Sequence, residues 1–174
     1  MSTSTPNSAS DPAATRDRGI QVRWATADDV DFLVAGNVAM AAETEDKPLA
    51  EDVVRRGVTA ALHDPHKGRY LMAEHDGDVV GQLMLTLEWS DWRNGWFWWI
   101  QSVYVPPSAR RRGVYRALDT FVQQAALADD DVCGVRLYVE QDNTRAQQTY
   151  RSLGMHPTDY LLFERMASTP TRHN

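Results

Sequence analysis

Arg110-Arg111-Arg112-Gly113-Val114-Tyr115 lies between a strand-like run that ends at Val105-Pro106 and a helical pattern that begins at Arg116. A helix that starts after a glycine-containing turn presents backbone N–H groups without a partner inside the helix, and such groups bind phosphate. Three consecutive arginines add positive charge at the same point. The segment therefore predicts either an anion-binding turn or the charged, solvated start of a helix.

The composition of the chain is that of one soluble globular domain with a hydrophobic core. Apolar residues make up 43% of the 174 residues, charged residues make up 24%, and the formal net charge is −6. This acidic balance argues against a general nucleic-acid binder, which normally carries a basic face. No apolar run approaches the roughly 20 residues that span a bilayer. We therefore expect a cytoplasmic protein with no nucleic-acid partner and no membrane contact.

The two ends of the chain are polar, and cysteine is almost absent. Residues 1–18 are rich in Ser, Thr, Ala, Asp and Pro and lack the apolar segment of a secretory signal. We expect disordered tails at 1–18 and 168–174 and one folded domain over 19–167. The single Cys133 cannot form an internal disulfide and gives no metal cluster, so we expect no bound metal.

Strand-like and helical patterns alternate along the chain. The patterning predicts strands at 20–24, 70–75, 79–89, 96–105, 135–139 and 160–166. It predicts a helix that starts after Thr26 and further helices at 49–62, 112–128 and 143–153. Asp76-Gly77 suits a tight hairpin turn, and Gly154 suits the end of a helix. This order predicts a layered α/β or α+β fold with one mixed sheet and one hydrophobic core.

A second informative block runs from Leu137 to Met155. Asn143 stands at the start of a predicted helix, where its side chain can bond a backbone group or a ligand. Tyr150 follows seven residues later and so emerges from the same helix face. Its phenol could donate a proton to a leaving group, or it could be a half-buried aromatic side chain with its hydroxyl in water.

Two motifs in this order resemble the GNAT (N-acetyltransferase) superfamily. They are a strand followed by an Arg-x-x-Gly turn that enters a helix, and a strand followed by Asn-x-x-Ala-x-x-x-Tyr-x-x-Leu-Gly. The resemblance covers roughly residues 20–166. It implies an α/β (α+β) fold with a central mixed, mostly antiparallel twisted sheet of six to seven strands, flanked by about four helices.

The resemblance also implies a cofactor, acetyl-CoA, as the acyl donor. The CoA pyrophosphate would bind the turn and helix start, namely Arg110, Arg111, Arg112, Gly113, Val114, Tyr115 and Arg116. The pantetheine arm would pair with the preceding strand at Val103, Tyr104 and Val105. Asn143 would hydrogen-bond the pantetheine, and Tyr150 would protonate the departing thiolate. Tyr115 departs from the family pattern, which has Gly or Ala there.

The acceptor site is expected to contain a carboxylate base and aromatic side chains. Strand alternation predicts one shared face for Trp99, Gln101, Val103 and Val105. Gln101 stands where some relatives carry Glu, and an amide cannot act as a base. Carboxylates elsewhere are therefore the candidate bases, namely Glu43, Glu45, Glu88, Asp91 and Glu140. Glu43 and Glu45 are the leading acceptor-site candidates, and Glu43 and Glu88 are the residues named for catalysis. Trp92 and Trp96 are candidates for an aromatic wall around an ammonium-bearing acceptor or for a dimer seam.

These residues favour an N-acetyltransferase that transfers acetyl directly from acetyl-CoA to an amine, with a small molecule as the acceptor. No cysteine lies in either motif, so an acyl-cysteine intermediate has no obvious nucleophile. Two alternatives remain open at this stage. One is a non-catalytic CoA-binding or regulatory domain, and the other is an enzyme that acetylates protein lysines or N-termini. A homodimer is compatible with the tryptophan-rich hairpin.

Overall fold

The computed structural model describes residues 15–17, 19–165 and 167. The chain divides into two compact units, Met1–Glu140 and Gln141–Asn174, and each is described by itself. The first unit contains the sheet and three α-helices, whereas the second contains one α-helix.

One six-stranded sheet organises the first unit, with its strands in sequence order. The strands are β1 (Thr15–Asp17), β2 (Ile20–Trp24), β3 (Arg69–His75), β4 (Asp78–Ser90), β5 (Gly95–Tyr104) and β6 (Val132–Leu137). All neighbouring pairs are antiparallel except β5 and β6, which are parallel. A parallel pair needs a crossover connection, and a helix supplies it here. The expected mixed, mostly antiparallel sheet is confirmed.

The described residues form four α-helices. They are α1 (Val30–Glu45), α2 (Glu51–His63), α3 (Val114–Leu127) and α4 (Thr144–Ser152). A short 3-10 turn, Ala27–Asp29, precedes α1, and Thr26 and Asp29 form a capping box around it. The expected hairpin turn at Asp76-Gly77 also forms, and both residues have the positive φ that such a turn requires.

Arg23 of β2 forms ion pairs with β3 and with the start of α1. Its guanidinium donates to both carboxylate oxygens of Asp29 at 2.8 Å and to Glu74 at 2.7 Å. The hydrogen bond from Arg23 lowers the pKa of the Asp29 carboxyl, although burial acts in the opposite direction. This ion cluster fixes where the chain leaves the sheet and enters α1.

Apolar clusters cover both faces of the sheet, where the sequence predicted a single core. On one face, α3 packs Leu118, Phe121 and Val122 against β2 to β5. On the other face, Leu33 and Val34 of α1 pack with residues of α2 and β3. Because side chains alternate along a strand, a sheet with apolar residues on both faces needs helices on both sides.

One predicted strand does not form, and one short strand forms where none was predicted. The predicted strand at 160–166 does not form over residues 160–165, and Met166 lies outside the described residues. Its apolar side chains are largely exposed, including Phe163 at 88%. An apolar run forms a strand only where a sheet edge pairs with it. By contrast, Thr15–Asp17 pairs with β2 although the sequence places it in a tail. Residues 1–14 and 168–174 lie outside the described part, and the domain limits stay a prediction.

The helix α1 approaches the sheet closely at Gly36. Beneath it, the buried Gln82 of β4 donates to the carbonyl of Leu33 at 3.3 Å and to Asn37 Oδ1 at 2.9 Å. A methyl group on Gly36 would lie 2.4 Å from Gln82 Oε1. Any side chain at this position would therefore have to push Gln82 out of its hydrogen bonds. None of the described helices combines the length and apolar character that crossing a membrane requires.

Replacing Gly36 with Ala should destabilise the protein by about 1–3 kcal/mol, because overpacking displaces a buried, hydrogen-bonded side chain. The matched control is Gly57→Ala in α2, where nothing lies within 4 Å of the new methyl group. That change should be neutral or stabilise by up to about 1 kcal/mol, since Ala is the better helix former. Urea unfolding measures both variants. Equal midpoints for the two would contradict the close approach of α1.

Candidate functional site

The edge of β5 is open over its last residues. Its pairing with β6 runs from Trp96 to Ile100, where Ile100 lies opposite Leu137. Its pairing with β4 continues to Tyr104. Residues 101–104 therefore have a strand partner on one side only within the described chain. A strand edge with unpaired backbone groups can pair with an extended ligand.

A β-bulge at Gln101 changes which face the following side chains occupy. Ile100 lies opposite Leu85 and Ser102 lies opposite Met84, so Gln101 is an extra residue on β5. Consequently Val103 and Val105 pack against the apolar cluster under α3, together with Ile100. The prediction that Trp99, Gln101, Val103 and Val105 share one face is wrong, because the bulge reverses the alternation.

The Arg-rich turn has the backbone geometry of an anion site. After a 3-10 turn at Pro107–Ala109, Arg111 and the N-cap Gly113 both adopt positive φ, of 64° and 90°. The first α-helical hydrogen bond of α3 runs from the Ala117 N–H to the Gly113 carbonyl at 3.0 Å. The first turn of α3 contains no acidic residue that would neutralise the positive end of the helix dipole.

The side chains of the turn divide between the core and solvent. Val114 is buried, and Tyr115 packs against the same cluster under α3. Arg111, Arg112 and Arg116 are exposed. The unusual Tyr115 therefore points its ring inward, and it leaves the outer side of the turn to the backbone and the arginines.

Arg110 fastens the turn to two neighbouring elements. Its Nε donates to the Val105 carbonyl at 2.9 Å, and its Nη2 donates to Glu43 Oε2 at 2.5 Å. Glu43, a candidate base, is therefore engaged with the candidate phosphate loop, and its role as a base stays a prediction. The side chain of Glu45 lies outside the described part of the structure.

Glu88, the other leading candidate base, is also engaged. Arg136 Nη1 donates to its Oε1 at 3.0 Å, and the indole N–H of Trp99 donates to its Oε2. The Arg136 guanidinium stacks over the Phe97 ring at 3.5 Å. Both carboxylate oxygens thus hold protein donors, which suits a positioning role better than proton abstraction.

A chain of neutral hydrogen bonds lies where β5 and β6 part. Tyr138 donates its O–H to Gln101 Oε1 at 2.6 Å, and Gln101 Nε2 donates to Thr86 Oγ1 at 2.7 Å. The sequence reasoning found Gln101 and missed Thr86, Tyr138 and Arg136. Strand pairing would have indicated them, because Thr86 and Arg136 both lie opposite Trp99.

The tryptophans of the β4–β5 hairpin lie on different faces of the sheet and in the turn. Trp96 contacts Trp89 edge-on at 4.9 Å and packs towards α3, on the face opposite to Trp99. Trp92 lies in the turn and is 87% exposed, and its backbone N–H donates to Asp91 at 2.9 Å. The roles of Trp92 and Trp96 towards an acceptor stay predictions.

The second unit holds the other two predicted residues on α4. Asn143 is the N-cap, and its Oδ1 accepts from the Ala146 N–H at 3.0 Å. At the other end, the Tyr150 carbonyl accepts from the Met155 N–H at 3.0 Å, while Gly154 donates to Arg151. This is a Schellman motif, and it confirms that the helix ends at Gly154. The Tyr150 side chain is partly buried.

The described residues contain no group of three or more His, Cys, Asp or Glu side chains that could hold a metal ion. In the first unit the candidate site comprises the turn, the open strand edge and the polar chain at Gln101.

Comparison with known proteins gives one family match and several relatives. Residues 35–155 match the model of the acetyltransferase (GNAT) family. A possible acetyltransferase from Clostridium difficile 630 is 43% identical with a TM-score of 0.81, over 86% of this chain and 99% of that one. An aminoglycoside N-acetyltransferase, AAC(6')-Iy, in complex with CoA shares the fold at 17% identity and a TM-score of 0.70, over 86% of this chain and 95% of that one.

A mycothiol acetyltransferase from Sanguibacter keddieii is 33% identical over 156 residues, which is 88% of this chain. The chain spans about half the length of this curated relative, 48%.

Replacing Gly113 with Val should weaken CoA binding about tenfold or more, because a β-branched residue resists positive φ and shifts the turn. The matched control is Gly77→Val, which has the same constraint at φ 88° in the β3–β4 hairpin turn with nothing within 4 Å. Gly77→Val should lose stability and keep its CoA affinity. Isothermal titration with CoA measures both variants. Unchanged affinity in Gly113→Val would remove the turn as the pyrophosphate site.

Proposed function

Since the chain belongs to the acetyltransferase (GNAT) family, we propose that it transfers an acetyl group from acetyl-CoA directly to the amine of a small molecule. The observation that carries this proposal is the continuity of the open edge of β5 with the Arg-rich turn. One extended ligand with an anionic end fits both.

The turn binds the pyrophosphate of CoA. Backbone N–H groups at the start of α3 point towards the anion, and the helix dipole favours negative charge there. The exposed guanidinium groups of Arg111 and Arg112 add charge beside them. The inward packing of Tyr115 supports this role, because it keeps a bulky ring away from the outer side of the turn.

The pantetheine arm lies along residues 103–105 and pairs with them as an added strand. The partnerless side of β5 over residues 101–104 supports this arrangement. The side chains of Val103 and Val105 face the core, so they do not obstruct a ligand at the edge. Asn143 uses its Oδ1 as a helix cap, which leaves its amide nitrogen to donate to pantetheine.

The reaction is a direct acyl transfer. The amine nitrogen forms a bond to the thioester carbonyl carbon and the carbon–sulfur bond breaks. The amine loses one proton to solvent, and the departing thiolate receives one from Tyr150. Tyr150 then regains a proton from solvent, so the products are an amide and the CoA thiol.

A small-molecule acceptor is favoured by the relatives' names, which include mycothiol and aminoglycoside acetyltransferases. Glu43 and Glu88 take part as positioning residues, since each already accepts from an arginine. Glu45, Trp92 and Trp96 stay predicted acceptor residues. The cytoplasmic location, the lack of a nucleic-acid partner and a homodimer also stay predictions from the sequence.

A thiol-release assay with acetyl-CoA and a panel of primary amines tests this function. Amine-dependent release of CoA with formation of the amide is the expected result. Tight CoA binding with no turnover on any amine would instead favour a non-catalytic CoA-binding domain. Turnover only on peptide lysines or N-termini would favour a protein acetyltransferase.

Replacing Tyr150 with Phe should lower kcat about 10²-fold or more, because the thiolate loses its proton donor. The dissociation constant of acetyl-CoA should stay within about twofold, since only one hydroxyl is removed from the protein. Tyr160, which is 81% exposed, gives the matched control Tyr160→Phe. An unchanged kcat in Tyr150→Phe would remove Tyr150 from the acid role.

A further inference from the structure

The side chains of Tyr138 and Gln101 bridge the point where β5 and β6 separate. Ile100 and Leu137 are the last parallel pair, and Gln101 and Tyr138 follow them directly in the sequence. Tyr138 donates to Gln101 at 2.6 Å although no backbone pairing connects the two strands there. The strand edge thus begins at a side-chain hydrogen bond.

The placement of the Gln101 amide sets the direction of both hydrogen bonds. Gln101 gives its N–H to Thr86 and receives the Tyr138 O–H on its carbonyl oxygen. Tyr138 therefore donates its hydroxyl hydrogen to Gln101, and the lone pairs of its phenolic oxygen can accept a hydrogen bond from a ligand. The side chain is 55% exposed, so an outside donor can reach it. Hydrogen bonds in series polarise one another, which makes this oxygen a better acceptor.

Aromatic surface adjoins that oxygen. The Trp99 ring lies 5.7 Å from the Tyr138 ring at an angle of 49°. The indole N–H of Trp99 is bound to Glu88, which Arg136 also holds. Trp99 is thereby fixed in orientation, and the two rings offer an apolar surface beside one hydrogen-bond acceptor.

We propose that Tyr138, oriented by Gln101 and Thr86, holds the nitrogen of the acceptor amine, while the Trp99 and Tyr138 rings contact its apolar or aromatic substituent. The proposal rests on the proposed acetyl transfer and names its substrate class: primary amines that carry an apolar or aromatic group. The backbone from Val105 back to Gln101 covers about 13 Å. A pantetheine arm along that edge therefore directs its thioester end towards Tyr138.

The kinetic test uses 2-phenylethylamine and ethylamine as acceptors, because they differ only in the aromatic ring. The wild-type kcat/KM should be about tenfold higher or more for 2-phenylethylamine, as expected for burial of a phenyl group. Tyr138→Phe should raise the KM for 2-phenylethylamine about three- to tenfold with kcat within about twofold. Acetyl-CoA affinity should not change, and Tyr160→Phe should behave as wild type.

A double-mutant cycle separates positioning from general damage to the fold. Thr86→Val frees the Gln101 amide, so it should raise the same KM about two- to fivefold through Tyr138. The double variant Thr86→Val/Tyr138→Phe should have the same KM for 2-phenylethylamine as Tyr138→Phe alone. Fully additive effects, or a KM in Tyr138→Phe within about twofold of wild type, would overturn the proposal.

A binding measurement keeps the proposal testable if no amine is turned over. In the CoA-bound protein, 2-phenylethylamine should shift the Trp99 indole N–H signal in the NMR spectrum, with Trp99→Phe providing the assignment. The indole N–H signal of the exposed Trp92 should not shift. Binding without turnover would contradict the acetyl-transfer function and leave the amine site supported. If the Trp99 signal does not shift at saturating amine, the proposed amine site is wrong.

Discussion

The pairing of β5 with β6 ends at Ile100 and Leu137 while β5 continues to Tyr104, and the candidate site follows from this one constraint. From Trp96 to Ile100, β5 is an interior strand that pairs with a neighbour on each side. Beyond it, the same strand offers hydrogen-bonding groups on one side and leads directly into the Arg-rich turn. The bulge at Gln101 lies at the transition and turns its side chain towards Tyr138. An open strand edge, a candidate anion site and a polar chain thus share one short segment.

Local sequence signals predicted the elements well where the backbone requirement is local. The Asp76-Gly77 turn, the Asn143 cap and the Gly154 helix end each depend on a residue type at a fixed position, and all three formed. The apolar pattern at 160–166 predicted a strand that residues 160–165 do not form. A strand needs a partner, and a single segment does not carry that information. The short β1 shows the reverse case, because pairing with β2 outweighs its polar composition.

The candidate site shows the same limit at the level of side chains. The turn and the strand before it could be predicted, since glycine, arginine and the strand pattern are adjacent in sequence. The partners of the carboxylates could not be predicted. Glu43 meets Arg110 across 67 positions and Glu88 meets Arg136 across 48. A search for a base by residue type alone therefore finds carboxylates that already accept hydrogen bonds from arginines. Thr86 and Tyr138 were missed because strand register, and not a motif, brings them to Gln101.

The Glu43–Arg110 ion pair has a consequence for how anions associate with the turn. A pyrophosphate that reaches Arg110 competes with an internal carboxylate, so its net gain is the difference between two charge interactions. Dissolved ions screen both exposed interactions to a similar degree. Arg110 then contributes less to the ionic-strength dependence of cofactor association than an arginine without an internal partner. If the turn binds the pyrophosphate as proposed, the number of its arginines therefore overstates how steeply added salt weakens CoA binding.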